Sequence, residues 1–198
     1  MTRVICNLST SLDGFVAGPR QSADNPLGEG GIRLHEWHFD LLPEDQAVFD
    51  EWQEAAGAYV MGRNMFSPGR GEWDLDWKGW WGDEPPYHAP VFVLTHHARE
   101  PLIMDGGTTF HFVTDGLDSA LEQANAAAGG KPVEIAGGAS TVNACLRAGV
   151  IDELNLHVSP VLLGDGERLF DGVPNTLRLE PVQVSGSAAV SHLRYRVG

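Results

Sequence analysis

The first apolar run, residues 3–9 (RVICNLS), is rich in β-branched and apolar residues and reads as a buried strand. Residues 11–33 lose that periodicity, gain glycine and two prolines, and read as loop. From Pro43 to Ala56 the period changes: Ala47, Val48, Glu51, Trp52 and Ala55 make a helical stripe, with Pro43 at its start. Tyr59-Val60-Met61 is a short strand ending at Gly62, and Val91–Thr95 and Phe110–Thr114 are two more. Leu117, Leu121, Ala124 and Ala128 mark a helix closed by Gly129-Gly130. Val133–Ala136 is a strand, and Val142, Cys145 and Leu146 mark a helix ended by Gly149. Residues 151–161 and 182–197 alternate like strands of an antiparallel pair. Strands alternating with helices, then a β-rich tail, predict an α/β fold: a mostly parallel central sheet, helices on both faces, and a C-terminal antiparallel hairpin.

Neither a repeat nor a linker interrupts the 198 residues, so residues 1–198 are expected to form one domain. The segment 67–90 stands apart. It carries four of the six tryptophans, Trp73, Trp77, Trp80 and Trp81, among acidic residues, and Pro85-Pro86 closes it. It reads as an inserted loop anchored on its own indoles, as a wall over a pocket, or as both.

Charge narrows the function. With 27 acidic residues against 13 Lys and Arg, the formal net charge is −14. The longest basic feature is Arg194 and Arg196, one residue apart, which argues against a nucleic-acid partner. Cys6 and Cys145 sit in apolar surroundings and read as buried thiols, implying a cytoplasmic protein. No apolar run approaches the ~20 residues a membrane span needs, and no signal peptide is legible.

Chemistry gathers at strand ends. Ile135 and Ala136 lead into Gly137-Gly138-Ala139-Ser140-Thr141, where a strand passes at once into a helix. Glycine admits close backbone approach, and a helix N-terminus offers free N–H groups to a pyrophosphate. The same residues also suit a tight turn capped by Ser140. Arg63 directly follows Gly62, where a guanidinium would meet either a ligand phosphate or a surface carboxylate. Thr95-His96-His97 ends another strand, and no third ligand at helical spacing supports a metal there. Asp13-Gly14 is a turn signal, and Gly164-Asp165-Gly166 suggests a reversal.

Five stretches in this order, SLDG at 11–14, MGR at 61–63, VLTH at 93–96, GGAST at 137–141 and IDELNLHVSPVLLGDGERLF at 151–170, resemble the reductase domain of the bifunctional riboflavin-biosynthesis deaminase-reductase, a relative of dihydrofolate reductase. The resemblance covers nearly the whole chain. It implies the three-layer dihydrofolate-reductase-like fold, a homodimer paired through late strands, and NADPH across the strand ends. Leu8 and Ser9 would lie near the nicotinamide. Gly62, Arg63 and Asn64 would hold the adenosine-side phosphates, Thr95 and His96 would complete the 2′-phosphate site, and residues 137–141 would bind pyrophosphate across a cis Gly137–Gly138 peptide. The implied activity is hydride transfer to a pterin-, pyrimidine- or flavin-like ring, as in 5-amino-6-(5-phosphoribosylamino)uracil reductase; the alternative is a nucleotide-binding dimer without turnover. Asp13, Trp80 and Trp81 are expected at the substrate pocket. Asp45, near where dihydrofolate reductases place a substrate-binding carboxylate, His35 and His38 are candidate proton donors. The chain departs from the pattern in three ways. The Trp-rich segment 67–90 is not part of the core family pattern and implies a substrate different from the riboflavin intermediate. Met65 stands where many relatives have Thr, and neither the H-x-E nor the P-C-x-x-C motif of a zinc deaminase is present, so a stand-alone reductase-like domain is expected.

Overall fold

The computed structural model describes residues 2–198. Its strands are β1 (Val4–Ser11), β2 (Phe15–Ala17), β3 (Ala58–Gly62), β4 (Pro90–Leu94), β5 (Leu102–Ile103), β6 (Thr109–Val113), β7 (Val133–Gly137), β8 (Glu153–Ser159), β9 (Glu167–Arg168), β10 (Leu179–Gly186) and β11 (Ser191–Val197). Its helices are α1 (Glu36–Phe39), α2 (Gln46–Glu54), α3 (Arg63–Phe66), α4 (Leu117–Ala127) and α5 (Ala139–Ala148). Nine strands form one sheet in the order β10-β11-β8-β1-β7-β3-β4-β6-β5. From β8 across to β6 all neighbours run parallel, and β10–β11 is the antiparallel hairpin at one end. β2 and β9 pair separately.

The two faces of the sheet are built differently. One packs α4 and α5 through the expected stripes, Ala120, Leu121 and Ala124 on α4 and Val142, Cys145 and Leu146 on α5. Gly149 ends α5 in the left-handed conformation, and its N–H reaches the carbonyls of Cys145 and Leu146. The other face carries a second core of Tyr59, Met61, Phe66, Val91, Val93 and Phe110, covered by Trp73, Trp77, Trp81 and Tyr87 from segment 67–90. Residues 67–89 contain no helix or strand and hold their place through these rings. Trp73 Nε1 donates to the His97 carbonyl and Trp77 Nε1 to the Phe66 carbonyl, each at 2.7 Å.

Two readings need correction. The helix expected over 43–56 begins only at Gln46. Asp45 stands at its N-cap but makes no cap bond, because its carboxylate is turned inward to His192. Within 11–33, read as loop, Phe15–Ala17 extends to pair with β9, and Gly31–Leu34 forms a 3-10 turn. Cys6 and Cys145 are buried and free. Among the described residues, no helix is long and apolar enough to cross a membrane.

Candidate functional site

A cleft of about 940 Å³ runs across the carboxyl ends of the central parallel strands. Its position follows from topology. β7 sits between β1 and β3, and each of these strands hands the chain to a loop or helix at the same edge. There β7 skips a residue against β3, so that Val60 pairs with Ile135 but Met61 with Gly137. That bulge turns Ala136 and the glycines toward the cleft.

Gly137 has φ 124° and the Gly137–Gly138 peptide is cis. A Cβ on Gly138 would meet no atom within 4 Å, so its backbone faces open space. α5 starts immediately, with Gly138 as N-cap and no side-chain cap bond; Ser140 lines the cleft instead of capping. The first N–H groups of α5 therefore point at the cleft with only the helix dipole behind them. Ala139 and Thr141 line the same wall. Gly62 has a second reason to be glycine, since a Cβ there would come within 2.4 Å of Thr141 Oγ1.

Beyond Gly62, Arg63 lies over the Trp73 ring, 3.9 Å from its centroid, and donates to the Glu72 carbonyl at 3.4 Å. Its Nε is buried without a hydrogen-bond partner. Burial and the neighbouring Arg70 lower the Arg63 pKa, against the opposing pull of Glu72. Arg70 also donates to Asn64 Oδ1. The Thr95 hydroxyl accepts from the His97 N–H at 3.1 Å, His96 is exposed at the rim, and His97 pairs with Glu72 at 3.3 Å. Thr114 and Gly116, at the end of β6, complete this side. Arg70, Thr114 and Gly116 carried no motif in the sequence; only the fold brings them to Arg63.

At the β1 end, Leu8 and Ser9 line the cleft, and Ser9 Oγ accepts from Trp37 Nε1 at 3.2 Å. Asn7 and Trp52 line it as well, and behind them lies Glu134. Glu134 is in register between Ile5 and Tyr59, 2% exposed, accepting from Trp52 Nε1 at 2.9 Å and Asn7 Nδ2 at 3.0 Å. Burial pushes its carboxyl up to about 7, and the two hydrogen bonds offset only part of that. An acid inside the otherwise apolar Val133–Ala136 strand was the signal that could have found it.

His35 and His38 also line the cleft. Burial lowers both pKa values, that of His38 to about 3 with help from His35 and His192, so both are neutral at pH 7. Trp80 and Trp81 stand at the wall made by segment 67–90. Two expected site residues lie elsewhere. Asp45 is fully buried and accepts from His192 Nε2 at 3.0 Å, away from the cleft lining. Asp13 accepts from the N–H groups of Leu163 (3.1 Å) and Gly164 (2.7 Å), fastening the reversal after β8. Bonds from the Ser11 hydroxyl and these amides hold its carboxyl below the usual range.

Residues 2–191 match the family described as the RibD C-terminal domain. The chain belongs to this family. The uncharacterized protein YyaP of Bacillus subtilis (strain 168) is 25% identical over 188 residues, 91% of this chain and 86% of that protein. A Shewanella sp. PV-4 protein named for riboflavin biosynthesis superposes with a TM-score of 0.69 at 24% identity, covering 100% of this chain and 99% of that one. Dihydrofolate reductase from Enterococcus faecalis, crystallised with NADP(H), superposes with a TM-score of 0.60 at 16% identity, covering 99% and 96%. The RibD C-terminal fold is therefore the dihydrofolate-reductase-like fold, as the five stretches implied.

Proposed function

We propose that this RibD C-terminal domain is an NADPH-dependent reductase that transfers hydride to a heterocyclic substrate. The observation that carries the reading is the uncapped N-terminus of α5 behind Gly138, opening on a cleft whose β3–β4 end holds Arg63 and Arg70. The residues fit a dinucleotide phosphate by phosphate. The α5 amides and Gly138 suit a pyrophosphate, because no Cβ stands between backbone and ligand. The unpartnered Arg63 Nε, with Arg70, Asn64, Thr95 and His96 nearby, suits a 2′-phosphate. When bound, the nicotinamide supplies the hydride. Leu8 and Ser9 border the place where it would lie, and Trp37 fixes the Ser9 hydroxyl. His35 and His38, being neutral, serve as hydrogen-bonding groups rather than charged acids, so water entering the cleft delivers the proton. That lack of a charged acid is also what favours the second reading, a nucleotide-binding protein without turnover. Pairing of two chains through the late strands belongs to the same proposal; β10 ends the sheet and exposes Val182 and Val184. Two measurements test it. Calorimetry should show NADPH binding, and NADPH absorbance should fall when pterins, pyrimidines or flavins are added. Binding without oxidation across such a panel favours the second reading, and no binding removes both.

A further inference from the structure

The cleft is electrically lopsided. Arg63, Arg70, His96 and His97 all lie at the β3–β4 end. The other end lies over β1, under β2 and the Gly31–Leu34 turn, and its walls are apolar: Ala17, Pro26, Leu27, Ile32, Phe39 and Trp52. The polar side chains there are Asn7, Ser9, Gln21, His35, His38 and Glu167, so among the described residues the only formal charge lining that half is negative. Of the arginines around it, Arg20 pairs with Glu29 and Arg168 lies over the Phe15 ring, while Arg33, exposed on the Gly31–Leu34 turn, is not among the residues lining the cleft.

The same half has features that select a flat ring. The Trp52 indole is locked by its bond to Glu134 and by stacking on His157 (5.1 Å, 25°) and Trp37 (6.3 Å, 23°). Trp80 and Trp81 add aromatic surface to the cleft farther along, on the side packed against β3, β4 and β6. His38 Nε2 is buried without a hydrogen-bond partner, although its ring lines the cleft. A buried polar nitrogen left unpaired is costly, and a ring N–H or carbonyl would satisfy it.

We infer that the substrate is a flat, uncharged heterocycle without a phosphate or other anionic tail, recognised through His38 and the Trp52 wall. The inference rests on the reductase reading and adds the substrate's charge to it. A phosphate in this half would shed water against apolar walls, find no cation among the lining residues, and face Glu167 in a chain of net charge −14.

Matched probes test it: riboflavin against flavin mononucleotide, and uridine against uridine monophosphate, each titrated into protein saturated with NADP⁺ so that no turnover intervenes. Saturation is established first by calorimetry; failure there strikes the reductase reading, not this one. In each pair of which a member binds, the phosphate-free member should bind about tenfold or more tightly. Equal or tighter binding of a phosphorylated member, or no binding by any of the four, overturns the proposal. Glu167→Arg should narrow or reverse the difference, and a difference unmoved by that charge reversal would also overturn it. His38→Phe, which keeps a ring in place, should weaken the bound phosphate-free probe about tenfold; unchanged affinity would remove His38 from the recognition and leave the inference without its polar anchor.

Discussion

Two residues of the proposed cofactor site carry separate expectations. Arg63 is held in place by the Trp73 ring and the Glu72 carbonyl, yet keeps an unpartnered Nε. A charge-assisted hydrogen bond contributes about 1.5–3 kcal/mol. Arg63→Ala should therefore weaken NADPH roughly tenfold to more than a hundredfold while changing NADH little, because only NADPH carries the 2′-phosphate. Calorimetric titration with both cofactors decides this, and equal losses would move Arg63 out of the phosphate site. Gly138 offers a cleaner test than Gly137. Its φ of −74° suits any residue, and its missing Cβ points into empty cleft, whereas Gly137 has φ 124° and would press a Cβ to within 3.2 Å of Met65 Sδ. Gly138→Val should thus fold and lose cofactor binding. Thermal melting with calorimetry separates the outcomes: a folded variant with unchanged NADPH affinity would show that the two glycines serve only the turn.

Elements were legible in the sequence where a periodic stripe was long and the fold left it one-sided. α4 and α5 lie where Leu121, Ala124, Val142 and Cys145 placed them, and β1 extends two residues past its expected end because Thr10 and Ser11 still pair with β8. The two-residue strands β5 and β9 were not legible, since pairing across the sheet creates them rather than any local preference. The same cause hid part of the site. Arg70, Thr114, Asn7 and Glu134 reach the cleft or its floor through the order of the strands, while Asp45, sensible in local sequence, is drawn to His192 on β11. Segment 67–90 mixes both cases. Trp81 stacks on Phe110 at 6.0 Å and meets Tyr87 at 5.1 Å, so it belongs partly to the second core; Trp80 touches Trp77 at 4.6 Å and lies at the cleft wall. The two indoles should therefore behave differently. Trp81→Ala should lower stability by about 2 kcal/mol or more through lost aromatic burial. Trp80→Ala should leave the melting temperature nearly unchanged and diminish both substrate binding and the ligand-induced quenching of tryptophan emission. Quenching and binding untouched by both variants would reduce the segment to a scaffold.

At the scale of the whole molecule, buried ionisable groups set opposing limits on stability with pH. His157 and His38 are driven down to about 3, in both cases chiefly by burial. His157 is held between Trp52 and His192, its Nδ1 2.8 Å from that of His192. The unfolded chain takes up protons on these rings near pH 6.5, while the folded chain refuses them until about pH 3. Their contribution is complete above pH 6.5 and is lost as pH falls, by up to about 1.4 kcal/mol per pH unit for each ring. Glu134 acts in the opposite direction. Its folded carboxyl keeps a proton to about pH 7, whereas the unfolded one releases it near 4.5, so its contribution declines as pH rises between those values. Between pH 4.5 and 6.5 the two histidines outweigh the one carboxyl; above 6.5 the carboxyl alone acts. Stability should therefore peak near pH 6.5–7, fall steeply on the acid side and more gently on the alkaline side. Glu134→Gln cannot ionise, yet offers an oxygen to the Trp52 or Asn7 N–H groups. It should stay level where the natural chain weakens, with a difference on the order of 1–3 kcal/mol between pH 5 and pH 8. Urea unfolding of both proteins at one-unit steps from pH 4 to pH 9 measures this. Parallel curves would mean that Glu134 is already ionised in the folded chain at pH 5, and that Trp52 and Asn7 compensate its burial more fully than two neutral hydrogen bonds should.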